Sequence, residues 1–204
     1  MKPLALTGGI ASGKSTAGRF LLEAGFSHLY DTDAICHELY EEPPPELAGA
    51  FRELWGDDVV SPAGAIDRAV LSRRLFAATD RAKAFVTLNG LVHPMVERRL
   101  QERLERDAGD DGLVLVEVPL LFEIGWERKF LRTIAVWTPY ETQIDRLMAR
   151  GGFSREEAES RLSVQMSCDT KLARADFGLI NNGGPEHLRS QCFELTALLK
   201  SLPL

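Results

Sequence analysis

Apolar positions along the chain fall into two kinds of pattern. Short continuous apolar runs predict buried strands at Leu4–Thr7, Phe26–Tyr30, Leu113–Val118, Arg132–Trp137 and Phe177–Ile180. Elsewhere apolar residues recur three and four apart, the spacing of a helix with one buried face. This predicts helices over Lys14–Ala24, Leu47–Trp55, Arg68–Phe76, Ala82–Leu91, Pro94–Arg106, Glu141–Arg150 and Leu188–Leu199. Phe20, Leu21 and Ala24 form the apolar face of the first helix, and Gly25 suits the position just past its end. Gly151-Gly152 stops the Glu141–Arg150 helix, and the capping box Ser154-Arg-Glu-Glu157 predicts a new one reaching about Gln165. Five short strands separated by helices imply an α/β fold with a parallel, helix-covered sheet. Ala34 to about Asp110 is helical, interrupted at Pro43-Pro44-Pro45 and Ser61-Pro-Ala-Gly64, and has the character of a substrate-covering insertion.

Composition narrows the functional classes. The chain has 204 residues, 45% hydrophobic and 26% charged, which suits one globular domain. A net charge of -6 argues against a general binder of nucleic acid or anionic membrane. Cys36, Cys168 and Cys192 share no C-x-x-C spacing, and the four histidines have no metal-ligand spacing. Reduced thiols in a cytoplasmic protein are therefore expected. No apolar run approaches the roughly 20 residues that cross a bilayer. The first residues enter a strand without a basic segment and a long apolar run, so no secretory leader is expected.

Between the first strand and first helix, Gly8 to Ser15 satisfies G-x-x-x-x-G-K-[ST], a phosphate-binding loop. Gly8 and Gly13 permit torsions and close approaches that a larger side chain would block. Successive N–H groups, backed by the positive end of the helix, form an anion-binding concavity. Candidate nucleotide contacts are Gly8, Gly9, Ala11, Ser12, Gly13, Lys14, Ser15 and Thr16. Lys14 supplies a mobile positive charge for the β- and γ-phosphates, and the Ser15 hydroxyl is a candidate Mg²⁺ ligand.

The chemistry depends on what faces the γ-phosphate. Asp31 and Asp33 are two residues apart and share a face if the chain there is extended. One could accept the proton of an attacking hydroxyl, and Asp31 is a second candidate Mg²⁺ ligand. Helix capping is the alternative role for either aspartate. Gln143, Arg146 and Arg150 fall within a narrow arc of one helix, beside the apolar stripe Ile144, Leu147 and Met148. An arginine pair there suits a lid that balances charge on a transferring phosphoryl group. Glu117 lies inside an apolar strand, open to a role in Mg²⁺ binding through water or at a cleft edge.

The ordered set of motifs resembles the dephospho-CoA kinase family. The matching pieces are Leu6 to Thr16, Asp31-Thr-Asp33, Gly64-Ala-Ile-Asp-Arg68 with Leu71 and Phe76, and His93-Pro94. Further along come Pro119-Leu-Leu-Phe-Glu123, Gln143-x-x-Arg146-Leu-x-x-x-Arg150, Arg161-x-x-x-Gln165, and Ala175-Asp176 with Asn181. The resemblance implies a three-layer P-loop fold with sheet order 2-3-1-4-5. It implies a core at about 1–33, 111–140 and 173–204, a dephospho-CoA-binding insertion at about 34–110, and a lid at about 141–172. It also implies transfer of a phosphoryl group from ATP with Mg²⁺ to the ribose 3′-hydroxyl of dephospho-CoA, by a monomer or weak homo-oligomer. On that basis Asp33 matches the base, Arg146 and Arg150 the lid arginines, and Asn181 the place where adenine packs. Arg68 and His93 fall among the acceptor contacts. Ala11 stands where the family commonly has glycine, so ordinary torsions are expected there. Thr32 stands where alanine is usual, and Cys36-His37 where Ala-Arg is frequent. His37 would therefore hold the acceptor in place of an arginine, more weakly and with pH dependence. The alternatives are another P-loop small-molecule or nucleotide kinase, or a non-catalytic ATP-dependent switch.

Overall fold

A computed structural model describes residues 3–107 and 112–202. The described chain forms two compact units, one of which is Thr32–Asp107. The expected change from insertion to core near 110–111 lies outside the described residues.

The larger unit is built on five parallel strands. They are β1 (Leu4–Gly8), β2 (Phe26–Asp31), β3 (Leu113–Glu117), β4 (Thr133–Trp137) and β5 (Phe177–Ile180). Their order across the sheet is β2-β3-β1-β4-β5, as the family resemblance implied. Every residue of β1 is buried, because this central strand is covered on both faces. Helix α1 (Lys14–Glu23) follows the phosphate-binding loop. The smaller unit follows β2 in the chain, and the larger resumes with β3.

After β4 come α6 (Tyr140–Gly151), α7 (Arg155–Ser163) and α8 (Cys168–Arg174), and α9 (Pro185–Ser201) follows β5. Leu4 and Leu6 of β1 and Ile134 and Val136 of β4 pack in one cluster with Phe20 and Leu21 of α1 and Leu195 and Leu199 of α9. Thr7 points to the opposite face by the two-residue period of a strand. Its hydroxyl donates to the Pro119 carbonyl at 3.3 Å, and the Lys171 ammonium of α8 donates to the same oxygen. Helix α8 therefore covers the second face, completing three layers. No helix among the described residues is long and apolar enough to cross a membrane.

Helix α8 had no counterpart in the sequence expectation, which carried the preceding helix to Gln165; α7 ends at Ser163. Ser167 caps α8 by accepting the Thr170 N–H at 3.1 Å. The capping box at Ser154 and Glu157 is present in both directions. Gly152, at φ 64°, ends α6 in the left-handed conformation.

The smaller unit holds α2 (Thr32–Glu41), α3 (Pro45–Trp55), α4 (Arg68–Ala77) and α5 (Arg81–Arg106). Asp67 caps α4, accepting from the N–H groups of Ala69 and Val70 at 2.9 and 3.0 Å. Two helices meeting at His93-Pro94 were expected, but α5 is continuous through Pro94. Its buried stripe Leu88, Val92, Val96 and Leu100 recurs every four residues across the proline and packs on α2. Pro inside a helix costs about 3 kcal/mol. Burying four such side chains is worth about 1.5–3 kcal/mol each, so the stripe prevails over the proline signal.

Two substitutions test this balance by urea denaturation. Pro94→Ala is expected to stabilise by about 1–3 kcal/mol, since the new N–H completes the helical ladder. Leu100→Ala is expected to destabilise by about 2–5 kcal/mol. A destabilising Pro94→Ala would contradict a continuous α5.

Candidate active site

The loop from Gly8 to Gly13 joins the buried end of β1 to the start of α1. Gly13, at φ 97°, precedes α1 in the left-handed region, and a Cβ there would collide with the Asn181 side chain. Ala11 is also left-handed, at φ 59°, the single positive-φ non-glycine among the described residues. The expectation of ordinary torsions at Ala11 is therefore wrong. A non-glycine residue there costs about 1–2 kcal/mol, and such strain persists where surrounding contacts over-determine the backbone.

Those contacts come from outside the loop. Gln143, 4% exposed on α6, donates its side-chain amide to the Ile10 carbonyl at 2.5 Å. Arg146, one turn on, donates to the Ala11 carbonyl at 3.1 Å and the Ser12 carbonyl at 3.4 Å. Asn181 donates to the Ser12 carbonyl at 2.7 Å, and the Thr138 hydroxyl lies 3.2 Å from that carbonyl and 2.6 Å from the Asn181 carbonyl. In a trans peptide the C=O and N–H point opposite ways. The Ser12 N–H closes a turn on the Gly9 carbonyl at 3.2 Å. Fixing the Ile10 and Ser12 carbonyls outward aims the N–H groups of Ala11 and Gly13 to the other side, where an anion would lie.

Lys14 spans the loop, its ammonium 3.2 Å from the Gly8 carbonyl and 3.1 Å from the Gly9 carbonyl. Ser15 and Thr16 occupy the first turn of α1, where the helix dipole favours negative charge. The Ser12 hydroxyl is buried and has no hydrogen-bond partner among the described residues. An unmet buried hydroxyl costs roughly 1–3 kcal/mol, so the loop fits a ligand bearing acceptor oxygens.

Burial and the neighbouring Arg150 charge both lower the Arg146 pKa, yet the guanidinium stays protonated. Two like charges held close suit an anion placed between them. Arg161 stacks on Phe153, 4.0 Å from its ring centroid.

Asp31 and Glu117 are register partners at the carboxyl ends of β2 and β3, and Glu117 is also in register with Leu6 of β1. This is the sheet edge at which open α/β folds bind ligands. No cluster of three or more metal-binding side chains occurs among the described residues. Mg²⁺ commonly needs only one or two carboxylates with phosphate oxygens and water, so Asp31, Glu117 and Ser15 fit it as part of a nucleotide site. The expectation that Asp31 and Asp33 share an extended face fails. Asp31 ends β2 and Asp33 lies in the first turn of α2, so the strand period does not connect them.

In the helical unit, Asp33, Cys36, His37 and Tyr40 follow at helical spacing on α2, whose Ile35 and Leu39 are fully buried. Burial raises the Cys36 pKa, and Cys36 also feels Tyr40, Asp33 and Arg68. The Tyr40 phenol is likewise raised, by burial and then by Cys36, with Arg68 opposing. Asp33, Cys36, Tyr40 and Arg68 thus form one electrostatic group, with the thiol and phenol neutral. Asp33, His37 and Arg68 are exposed, whereas His93 is half-buried in α5, where burial lowers its pKa.

Several matching motifs prove to be supports. Lys171, 0% exposed, pairs with Glu123 at 2.9 Å, and Glu123 also accepts the Met166 N–H at 3.0 Å. Pro119-Leu-Leu-Phe-Glu123 therefore anchors α8. Asp176 accepts from the Thr133 N–H at 2.7 Å and its hydroxyl at 2.8 Å, fixing the start of β4. Sequence reasoning missed Lys171, Thr138 and Tyr40. A lysine in a charged stretch gives no sign of burial, and the only signal at Thr138 was a Thr-Pro pair closing a strand.

These motifs can be set beside known proteins. The family model for dephospho-CoA kinase matches residues 3–187. A dephospho-CoA kinase of Symbiobacterium thermophilum is 42% identical, over 94% of this chain and 78% of its own. One from Anaeromyxobacter dehalogenans is 38% identical, over 98% and 93%. The solved dephospho-CoA kinase of Campylobacter jejuni superposes with a TM-score of 0.72 at 27% identity, covering 97% of this chain and 96% of its own. A crystal structure from Thermus thermophilus gives 0.78 at 36% identity, with both chains fully covered. Phosphate loop, strand-edge acids and ordered motifs thus agree with the match along nearly the whole chain, which belongs to the dephospho-CoA kinase family.

Proposed function

We propose that the protein transfers the γ-phosphoryl group of ATP to the ribose 3′-hydroxyl of dephospho-CoA, giving CoA and ADP. The observation that carries this is the loop of residues 8–13, whose carbonyls at residues 10–12 are held outward by α6, Thr138 and Asn181. Its N–H groups and the α1 terminus bind the nucleotide phosphates. Lys14 exchanges its two carbonyl partners for β- and γ-phosphate oxygens as charge develops. Asn181, which fixes the loop from β5, borders the adenine.

Ser15 and Asp31 would hold Mg²⁺, with Glu117 beside Asp31; the ion supplies charge neutralisation on the phosphates. Asp33 takes the proton of the acceptor hydroxyl as the new P–O bond forms. The Arg146 and Arg150 guanidiniums stabilise charge on the transferring group. His37, Arg68 and His93 contact dephospho-CoA, with the Arg68 cation serving its phosphates. Burial keeps Cys36 and Tyr40 neutral there, so neither competes with Asp33 for that proton.

Coupled ADP-release assays test these roles. Asp33→Asn is expected to lower kcat by about 10²–10⁴ while the ATP KM changes by less than about three-fold. Activity that survives this change removes Asp33 as the base and leaves room for a nucleotide switch. Arg150→Ala is expected to lower kcat about ten-fold or more with little effect on ATP binding. Arg146→Ala should raise the ATP KM as well, because Arg146 also holds the loop. Equal losses of binding and turnover in Arg150→Ala would mark it as a ground-state contact.

A further inference from the structure

Ala11 must hold a left-handed torsion that only glycine adopts freely. The peptide on each side of it is restrained by α6. Gln143 holds the Ile10 carbonyl at 2.5 Å, and Arg146 holds the Ala11 carbonyl at 3.1 Å. The Gln143 amide is buried and hydrogen-bonded, and it occupies the space a Cβ on Gly9 would need, 2.7 Å from that position. Ile144 and Leu147 pack with Ala158, and Ile10 and Ala11 lie against that cluster, so α6 is fixed relative to the loop.

We propose that Gln143 is a positioning residue for nucleotide binding: with Arg146 it brackets Ala11, holds it left-handed, and keeps the Ala11 N–H aimed into the phosphate concavity. This rests on the kinase reading of the loop. Gln143 does not touch the reacting atoms; it acts through the Ile10–Ala11 peptide. Without the donor, that peptide relaxes toward ordinary torsions and turns its N–H away from the phosphates. The penalty falls on ATP and ADP, not on the acceptor.

Gln143→Glu keeps the shape of the side chain but, ionised, cannot donate to a carbonyl. Gln143→Met is the uncharged control, should the carboxylate disturb folding. Either change is expected to weaken ADP binding, read by calorimetry, by about ten-fold. The ATP KM should rise in parallel, with kcat and the dephospho-CoA KM each within about three-fold of wild type. Adding Ala11→Gly to either variant should recover about three-fold or more of the lost affinity, because glycine adopts this torsion without a restraint. A purely packing role would be moved by neither the ATP-specific split nor the glycine rescue. If both variants bind ADP as wild type does, or lose affinity for both substrates equally without rescue, the assignment is overturned. If wild type itself does not bind ADP, the kinase reading falls and this inference falls with it.

Discussion

The site depends on the direction of two peptide planes, Ile10–Ala11 and Ser12–Gly13. An anion can settle against a backbone loop only if N–H groups face it and carbonyls face away. Here the carbonyls of residues 10–12 are engaged from behind by Gln143, Arg146, Asn181 and Thr138. Gln143 and Arg146 come from α6, and Thr138 and Asn181 directly follow β4 and β5. The order β2-β3-β1-β4-β5 is thus a requirement of the site as well as of the core. With β4 next to β1, the segments leaving β4 and β5 reach the back of the loop. With β3 on the other side, Glu117 stands beside Asp31 at the same edge.

Helix α6 carries two loads at once. Its apolar residues Ile144 and Leu147 pack on α7 and the loop, while Gln143 and Arg146 supply donors. A single helix thus restrains the Ile10 and Ala11 carbonyls and places the arginines. Helix α8 is held instead by an ion pair whose lysine is buried. Its Lys171 ammonium would be costly alone and is stabilised by Glu123 and the Pro119 carbonyl.

The strands were legible because a doubly covered sheet requires continuous apolar runs, and β1 and β3 have them. The phosphate loop was legible because its glycines and lysine have one spacing. The sheet order was not written in periodicity; it followed from the family resemblance. Helix α8 escaped notice because its seven residues include a buried lysine, which breaks the apolar pattern. Pro94 suggested a break that the four-residue stripe of α5 overrides. Ala11 misled because a local torsion rule was applied to a residue restrained by a distant helix. Asp31 and Asp33 misled because the change from strand to helix falls between them.

Phosphorus NMR of the products formed from ATP, Mg²⁺ and dephospho-CoA tests the proposed chemistry most directly. Phosphoryl transfer to the acceptor gives one new 3′-phosphomonoester for each ADP. ADP released with inorganic phosphate and no new monoester, or a phosphate placed elsewhere on the acceptor, would contradict it.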